Sequence, residues 1–331
     1  MKYVLSRLGF LFISLWAAVT VNFVLPRLMP GNPAILMLGR YKGQLTAQAL
    51  HALKLQFGIT KQPLWQQYVI YLGHLLHGNL GLSLTYYPIP VGQIIAQSLP
   101  WTLGLVGTAT IISMVLGTAV GVYLAWNHGQ FWDNLLSTVA MFTAALPYFW
   151  LALLLLYFLA YVYHWFPLAH AYSTGINPAW SLSFILNVLR HALLPALTIV
   201  VSSLGGWMVG MRNNMIQTLG EDYITFAEAK GVKKRRLMFQ YAARNAILPS
   251  LTSFAMSLGF VVGGALLTEV VFSYPGVGYQ LLVAVQNEDY PLMQGLFLVI
   301  ALAVLIANFI VEMLYGRLDP RTRQGQGGAY S

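Results

Sequence analysis

Two stretches of this chain carry no charge over a length that can cross a membrane. Trp101 to Trp126 and Leu135 to Tyr163 contain no Asp, Glu, Lys or Arg. A bilayer's hydrocarbon core is about 30 Å thick and a helix rises about 1.5 Å per residue, so roughly 20 apolar residues span it. No water reaches a backbone amide there, so each run must satisfy its own hydrogen bonds as a helix. An ordinary soluble fold is thereby excluded. Composition agrees, because charged residues make up 8% of the chain against about 25% in soluble domains. The second run is longer than the core requires, so it must tilt or bend, and Pro147 is the expected kink.

Further runs extend the pattern. Lys2 and Arg7 precede an apolar run from Leu8 to about Leu25. That run is too long for a signal-peptide core and no small-x-small cleavage site follows it, so it is expected to be an uncleaved first span. Residues 35 to 99 form a long, moderately polar loop with short helices of its own. Thr46 caps one over 47–56, stopped by Gly58. Pro63 opens a second, in which Trp65, Tyr68, Val69, Leu72, Leu75 and Leu76 recur at helical spacing. Val91, Ile94, Ile95 and Leu99 mark a third. None of the three is expected to span; they lie at the outer interface or cap the bundle. Later spans are expected at His191 to Met211, Ala246 to about Leu267, and Pro291 to Val311. Gly104, Gly107, Gly117 and Gly121 would let the second span approach a neighbour closely.

Charge sets the orientation. Of eighteen basic residues, twelve fall in the N-terminus, the central loop and the C-terminus, which points to membrane topology and not to nucleic acid. The expected fold is therefore all-α: a polytopic membrane protein with six transmembrane helices, both termini cytoplasmic, and short interfacial or extracytoplasmic helices. Residues 1–99 would hold the first helix and the outer loop. Residues 100–317 would form a five-helix core with a cytoplasmic loop at 212–249, and 318–331 a tail. The link 127–134 is cytoplasmic only by parity, since it has no basic residue.

The most charged segment is that cytoplasmic loop. Between Glu221 and Pro249 lie Glu221, Asp222, Glu228, Lys230, Lys233, Lys234, Arg235, Arg236 and Arg244, with Arg212 just upstream. Acids in a first turn suit a helix N-terminus, and Tyr223, Phe226, Ala227 and Lys230 follow at helical spacing. Gly231 is placed to stop this helix in a left-handed conformation. A second helix is expected over 233–244, after which Asn245 would cap the next span and Pro249 would sit in its first turn. A solvated loop that merely obeys the charge rule explains the charges alone equally well.

Catalytic chemistry finds little support. The chain has no cysteine, so neither a disulfide framework nor a Cys metal site arises. No Gly-Lys pair occurs, which removes the phosphate-binding loop that ATP hydrolysis would need. His74 and His77 share a helical face, but two His without a nearby carboxylate read as structural before they read as metal ligands. No cofactor is expected on the chain.

Several strings, in order, resemble the membrane subunits of ABC importers of the oligopeptide, dipeptide and nickel transport family. Ala227-Glu-Ala-Lys-Gly231 followed by Arg244-Asn-Ala-Ile-Leu-Pro249 resembles the family's "EAA" loop, with the longer glycine-to-proline interval of the peptide branch. Leu28-Met-Pro-Gly-Asn-Pro-Ala34 is similar to "LPGDPA", with Asn32 where Asp is usual. Gly78 to Ser83 resembles "GDLGxS", and Pro147-Tyr-Phe-Trp150 resembles "P-x-F-W". Glu269 to Gly278 is similar to "E-x-V-F-x-x-P-G-x-G", Asp289-Tyr-Pro291 to "D-Y-P", and Leu318-Asp-Pro-Arg321 to "LDPR".

That resemblance implies a permease subunit in the inner or plasma membrane of a prokaryote. It implies partnership with a homologous permease, two ATP-binding subunits that hold ATP and magnesium, and an external solute-binding protein. Coupling to the ATPases would fall to Glu221, Asp222, Tyr223, Phe226, Ala227, Glu228, Ala229, Lys230, Gly231, Arg244, Asn245 and Pro249. Glu269, Tyr274, Pro275 and Gly276 would be candidates for the translocation path or its gate, although a carboxylate bonded to nearby loop amides is the competing reading of Glu269. Peptides are the cargo the resemblance implies, moved by alternating access coupled to the ATPases, with nickel or oligosaccharides as the alternative. A secondary transporter, which would place ionisable residues mid-span, and a membrane scaffold remain as other classes.

Overall fold

The long helices are where the uncharged runs require them. The computed structural model describes residues 2–28, 63–176, 178–263 and 265–318. The string after residue 28, the helix expected over 47–56 and the tail after 318 lie outside the described residues. Helix α1 runs Lys2–Leu28 and α2 runs Leu64–Leu76, opened by Pro63. Helix α3 spans Val91–Trp126, α4 Phe131–Ala145, α5 Tyr148–Val162 and α6 Leu182–Leu219. The short α7 covers Asp222–Ala229. Helix α8 is continuous over residues 234–261, α9 covers Leu266–Val271, α10 Val277–Gln286 and α11 Tyr290–Leu318.

Among the described residues four helices are long and apolar enough to cross a membrane, within α1, α3, α6 and α11. The pair α4 and α5 makes a fifth if counted as one broken span, bent by 96° where Leu146 and Pro147 interrupt it. The remaining expected span, the fifth in chain order, corresponds to Arg244–Val261 in α8, which opens on Arg244 and Asn245 and is not among them.

Four sequence expectations need correction. The third short helix and the second span are one helix, α3, which passes through Pro100 and then a π-helical stretch at Leu103–Gly107. Proline removes one ladder bond and crowds the preceding turn, and the wider π turn that follows lets the helix continue. This helix also crosses the boundary drawn at residue 99. The fourth span begins at Leu182, so the apolar segment before His191 belongs to it. Asn245 does not cap a new helix: another π stretch, Leu237–Ala243, joins Lys234–Arg236 to Arg244–Val261, so Asn245 and Pro249 are both helix-internal. The fifth span ends at Val261, short of Leu267.

Packing between α3 and α6 forms the centre of the bundle. Lipid tails give no hydrophobic drive for helices to associate, so close approach by small residues matters. A Cβ on Gly117 would lie 2.6 Å from Trp207 Cβ, and one on Gly121 2.5 Å from the Met208 carbonyl. Of the four glycines expected to allow close approach in this run, these two make it. Across the same seam the Ser203 hydroxyl donates to Ser113 Oγ at 2.9 Å. Helix α1 is held on α11 by a reciprocal pair: Asn22 Nδ2 donates to the Gln294 carbonyl at 2.8 Å, and Gln294 Nε2 to the Asn22 carbonyl at 3.0 Å. Helix α2 lies against the C-terminal half of α1, where Phe23 meets Tyr68 and Tyr71 and the Tyr68 hydroxyl pairs with Thr20.

Candidate functional site

Helix α7 is short, sharply ended and seated on the bundle. Glu221 takes the N-cap position in extended conformation and Asp222 supplies the acid of the first turn. At the other end, the Val232 N–H donates to the Ala227 carbonyl at 3.2 Å and the Gly231 N–H to the Glu228 carbonyl at 2.8 Å. These two bonds make a Schellman ending, with Gly231 at φ 77° where a Cβ would be strained. The expected stop at Gly231 is thus present, and the helix starts and ends one residue earlier than the spacing indicates.

The inner face of α7 is apolar and deeply set. Ile224 and Ala227 are buried with Val122 and Ala125 of α3, Met211 and Met215 of α6, and Leu237, Ala242 and Ala246 of α8. This small helix therefore touches the cores of three long ones at a single point. Its outer face is different. Tyr223 is 39% and Phe226 61% exposed, and Glu228, Ala229 and Lys230 are exposed beside them. Lys230 Nζ stands 4.3 Å from the centre of the Phe226 ring, a cation–π contact. Asn245 Nδ2 donates to the Tyr223 hydroxyl at 2.8 Å, tying α7 to α8. Arg244 and Pro249 are exposed on α8. The arrangement is a buried base with a protruding aromatic and charged tip.

The candidates near residue 269 form a closed joint. Glu269 is fully buried. Its Oε2 accepts from the N–H groups of Gly278 at 2.7 Å and Tyr279 at 3.2 Å, and its Oε1 accepts from the Thr102 hydroxyl at 2.8 Å. The same Thr102 oxygen accepts from the Val277 N–H at 2.8 Å. Glu269 thus caps the N-terminus of α10 from another helix, where a negative charge is favoured, and ties it to α3. Gly276 and Gly278 leave room for the carboxylate; a Cβ on Gly278 would lie 2.7 Å from Leu266 Cα. Tyr274 is buried with its ring edge-on to Trp101. Burial, and then the Glu269 charge, push its phenol up to about 12, so it stays neutral. Pro275 is partly buried in the turn between them.

A second acid makes a similar clasp nearby. Buried Asp289 accepts from the Ser83 hydroxyl and from the Thr85 N–H at 2.8 Å, and caps α11 through the Leu292 N–H at 3.1 Å. Two strings distant in sequence, Gly78 to Ser83 and Asp289 to Pro291, therefore meet in space.

One cluster is not legible in the sequence. Asp133, in the first turn of α4, is fully buried. Arg212 of α6 grips it with Nε and with Nη2, the latter at 2.8 Å. His128 Nδ1 and the Gly129 N–H lie 2.8 and 3.0 Å from its Oδ2. The available signal is an isolated acid beside an uncharged run, which demands a distant partner. His74 and His77 bind locally, to Asn79 and to the Gly73 carbonyl, and among the described residues no group of three or more His, Cys, Asp or Glu could hold a metal.

Comparison with known proteins agrees across nearly the whole chain. The family model described as "Binding-protein-dependent transport system inner membrane component" matches residues 117–324. The chain is 34% identical to the di/tripeptide transport system permease protein DppB of Pseudomonas aeruginosa, covering 98% of this chain and 99% of that protein. It is 31% identical to the dipeptide transport system permease protein DppB of Escherichia coli, with the same coverage. To the protein of that name from Lactococcus lactis it is 32% identical, covering 97% of this chain and 99% of the other.

Proposed function

The chain belongs to the family of binding-protein-dependent transport system inner membrane components, and from that premise we propose that its cargo is peptides and that ATP hydrolysis on partner subunits reaches it through α7. The near-full-length likeness to permeases named for dipeptides and di/tripeptides supports the cargo. The exposed tip of α7 on its buried base is the observation that carries the coupling role.

The assembly on this reading contains a homologous permease, two ATP-binding subunits with ATP and magnesium, and an external solute-binding protein. The topology has six spans, α8 among them, with both termini in the cytoplasm. Residues 1–99 supply the first span, the outer loop and the opening turns of α3, 100–317 the rest of the permease core, and 318–331 the tail. The charge distribution supports this orientation, with Lys2, Arg7, the 230–236 cluster and Arg317 all on one side. Helix α8 spans on this reading because Ser250 is buried in protein and the Thr252 and Ser257 hydroxyls donate to the Leu248 and Phe254 carbonyls of the same helix.

Transport proceeds by alternating access. Swinging a two-state bundle from 1:99 to 99:1 needs about 5.5 kcal/mol of differential interaction. A two-turn helix transmits that much only if it moves as one body with the bundle. The buried Ile224 and Ala227, the Gly231 ending and the Tyr223–Asn245 bond supply that rigidity. Tyr223, Phe226 and Lys230 enter the ATPase cleft, flanked by Glu221, Asp222, Glu228, Ala229 and Arg244. Glu269, Tyr274, Pro275 and Gly276 act at the outer end of the path as a gate element: they hold α10 on α3, with no free carboxylate for cargo.

Phe226→Asp tests the reading. It places a charge on the exposed tip and leaves the buried face untouched. The variant should insert normally and lose ATP-driven uptake, while normal coupled uptake would refute the assignment.

A further inference from the structure

The start of α4 is fixed to α6 by more than packing. Asp133 is fully buried and Arg212 largely so, and the Arg212 Nε and Nη2 groups both donate to the carboxylate, the latter at 2.8 Å. His128 Nδ1, 2.8 Å from Asp133 Oδ2 and 3.0 Å from Arg212 Nη2, closes the pair from the solvent side. Taking two charges out of water is costly, and apolar residues of similar volume often hold a fold together as well or better. What the pair adds is direction, because a planar fork on one carboxylate fixes where two helices meet. Two turns along the same seam, a Cβ on Gly205 would lie 2.6 Å from the Ala140 carbonyl oxygen. Seven positions separate Asp133 from Ala140 and Gly205 from Arg212, so α4 runs antiparallel to α6, in register, over about 10 Å.

The place of the pair connects it to both ends of the molecule. Arg212 leaves α6 between Met211 and Met215, with which Ile224 and Ala227 of α7 are buried. One turn of α6 thus seats α7 and grips α4. Beyond Ala140, α4 reaches the break at Leu146 and Pro147, where the chain bends by 96° into α5. Ala152 and Ala160 of α5 share a buried cluster with Leu194 of α6 and with Phe272. Phe272 ends α9, three residues after Glu269, whose carboxylate holds α10 on α3. We propose that Asp133 and Arg212 are positioning residues for transport: they make α4 travel with the seat of α7, so that the bent α4–α5 pair carries the ATPase stroke to the Glu269 joint. The proposal rests on the coupling role of α7 given above. Coupling between distant sites needs packed elements that have two arrangements, and the break at Pro147 is where one arm can turn against the other. Apolar packing by itself would let α4 slide or roll on α6 under load, whereas a two-point grip on a buried carboxylate resists both.

The test uses the full chain in its reconstituted transport complex. Peptide imported per ATP hydrolysed is measured for wild type, Arg212→Gln and Arg212→Lys. The lysine variant keeps a charge beside Asp133 and loses only the fork, so it holds the fold if the glutamine variant does not. Both should continue to hydrolyse ATP, and both should import at least about five-fold less peptide per ATP, the low end of coupling between distant sites. Pairs of spin labels at exposed positions follow the motion, on a chain with no cysteine of its own. In wild type, Asn134→Cys with Gln217→Cys should keep one narrow distance with and without ATP, while Gln286→Cys with Gln217→Cys should change on ATP binding. In the Arg212 variants the first distance should broaden and the second change should shrink. A pair that only stabilises the fold would lower the unfolding temperature and leave the import ratio and the ATP-driven change at Gln286 as in wild type; that result would overturn the proposal. So would a wild-type Asn134–Gln217 distance that changes as much as the Gln286–Gln217 distance. Equal loss of hydrolysis and import would place the pair's effect at α7 itself, and would equally overturn it. Failure of the importer reading would appear separately, as a wild-type complex with no ATP-driven uptake.

Discussion

Gly231→Ala isolates backbone conformation from packing. The residue ends α7 at φ 77°, and a Cβ added there would find no atom beyond its chain neighbours within 4 Å. The new methyl group meets open space, so any effect arises from the left-handed backbone alone. For a residue with a Cβ that conformation costs roughly 1–2 kcal/mol, which converts to a factor of about 5–30 in the local equilibrium between closed and frayed ends. The bonds at risk are those from Gly231 to Glu228 and from Val232 to Ala227. Hydrogen exchange on the membrane-embedded complex reads them directly. The amides of Lys230, Gly231 and Val232 should exchange about 5–30 times faster in the variant, and those of α6 should not change. Gly231→Asn should fall between, because Asn tolerates this region better. Uptake should fall with the loss of protection while binding-protein affinity holds. Exchange in Gly231→Ala equal to wild type would refute the claim that the glycine conformation holds the end of α7.

Other perturbations follow from the packing. Glu269→Gln removes charge from three hydrogen bonds and should lower stability by about 1.5–3 kcal/mol, read as a lower unfolding temperature; Glu269→Ala, which also leaves the Thr102 hydroxyl and two amides without their acceptor, should cost more. An unfolding temperature unchanged in both would contradict the capping role. Gly117→Leu should separate α3 from α6, because even its Cβ would lie 2.6 Å from Trp207 Cβ; the expected outcome is a destabilisation of about 1–3 kcal/mol, visible as a lower yield of folded protein. Breaking the buried Asp133–Arg212 pair from either side should cost about 3–5 kcal/mol. A double-mutant cycle on Asp133→Asn and Arg212→Gln should then show strong non-additivity, and simple additivity would argue against the pair.

What is legible in the sequence is local. The α7 stop at Gly231, the break at Pro147 and the helix opened by Pro63 each follow from one residue's backbone constraints. The spans follow from uncharged length. Continuity is harder to read. The boundary expected at residue 99 falls beside Pro100, yet α3 passes through both, because the π turn at Leu103–Gly107 absorbs the distortion and nothing in its sequence marks a π turn. The same holds at Asn245, whose capping side chain instead reaches Tyr223 across 22 residues. Long-range polar pairs are least accessible. Glu269 reads as a carboxylate in need of partners, but its hydroxyl donor, Thr102, is 167 positions away. Arg212 reads with the cytoplasmic charges, whereas its partner Asp133 lies 79 positions upstream. A single sequence carries no signal linking such positions.

The central claim is that α7 is the contact through which an ATPase drives this permease. The most direct measurement is recovery of the tagged chain from mild detergent, with mass spectrometry of the proteins that accompany it, in wild type and in Phe226→Asp. The account predicts an ATP-binding subunit with the wild-type chain, and its loss from a variant that still inserts and still retains the second permease. Equal recovery of the ATPase with both chains, or none with either across several detergents, would contradict it.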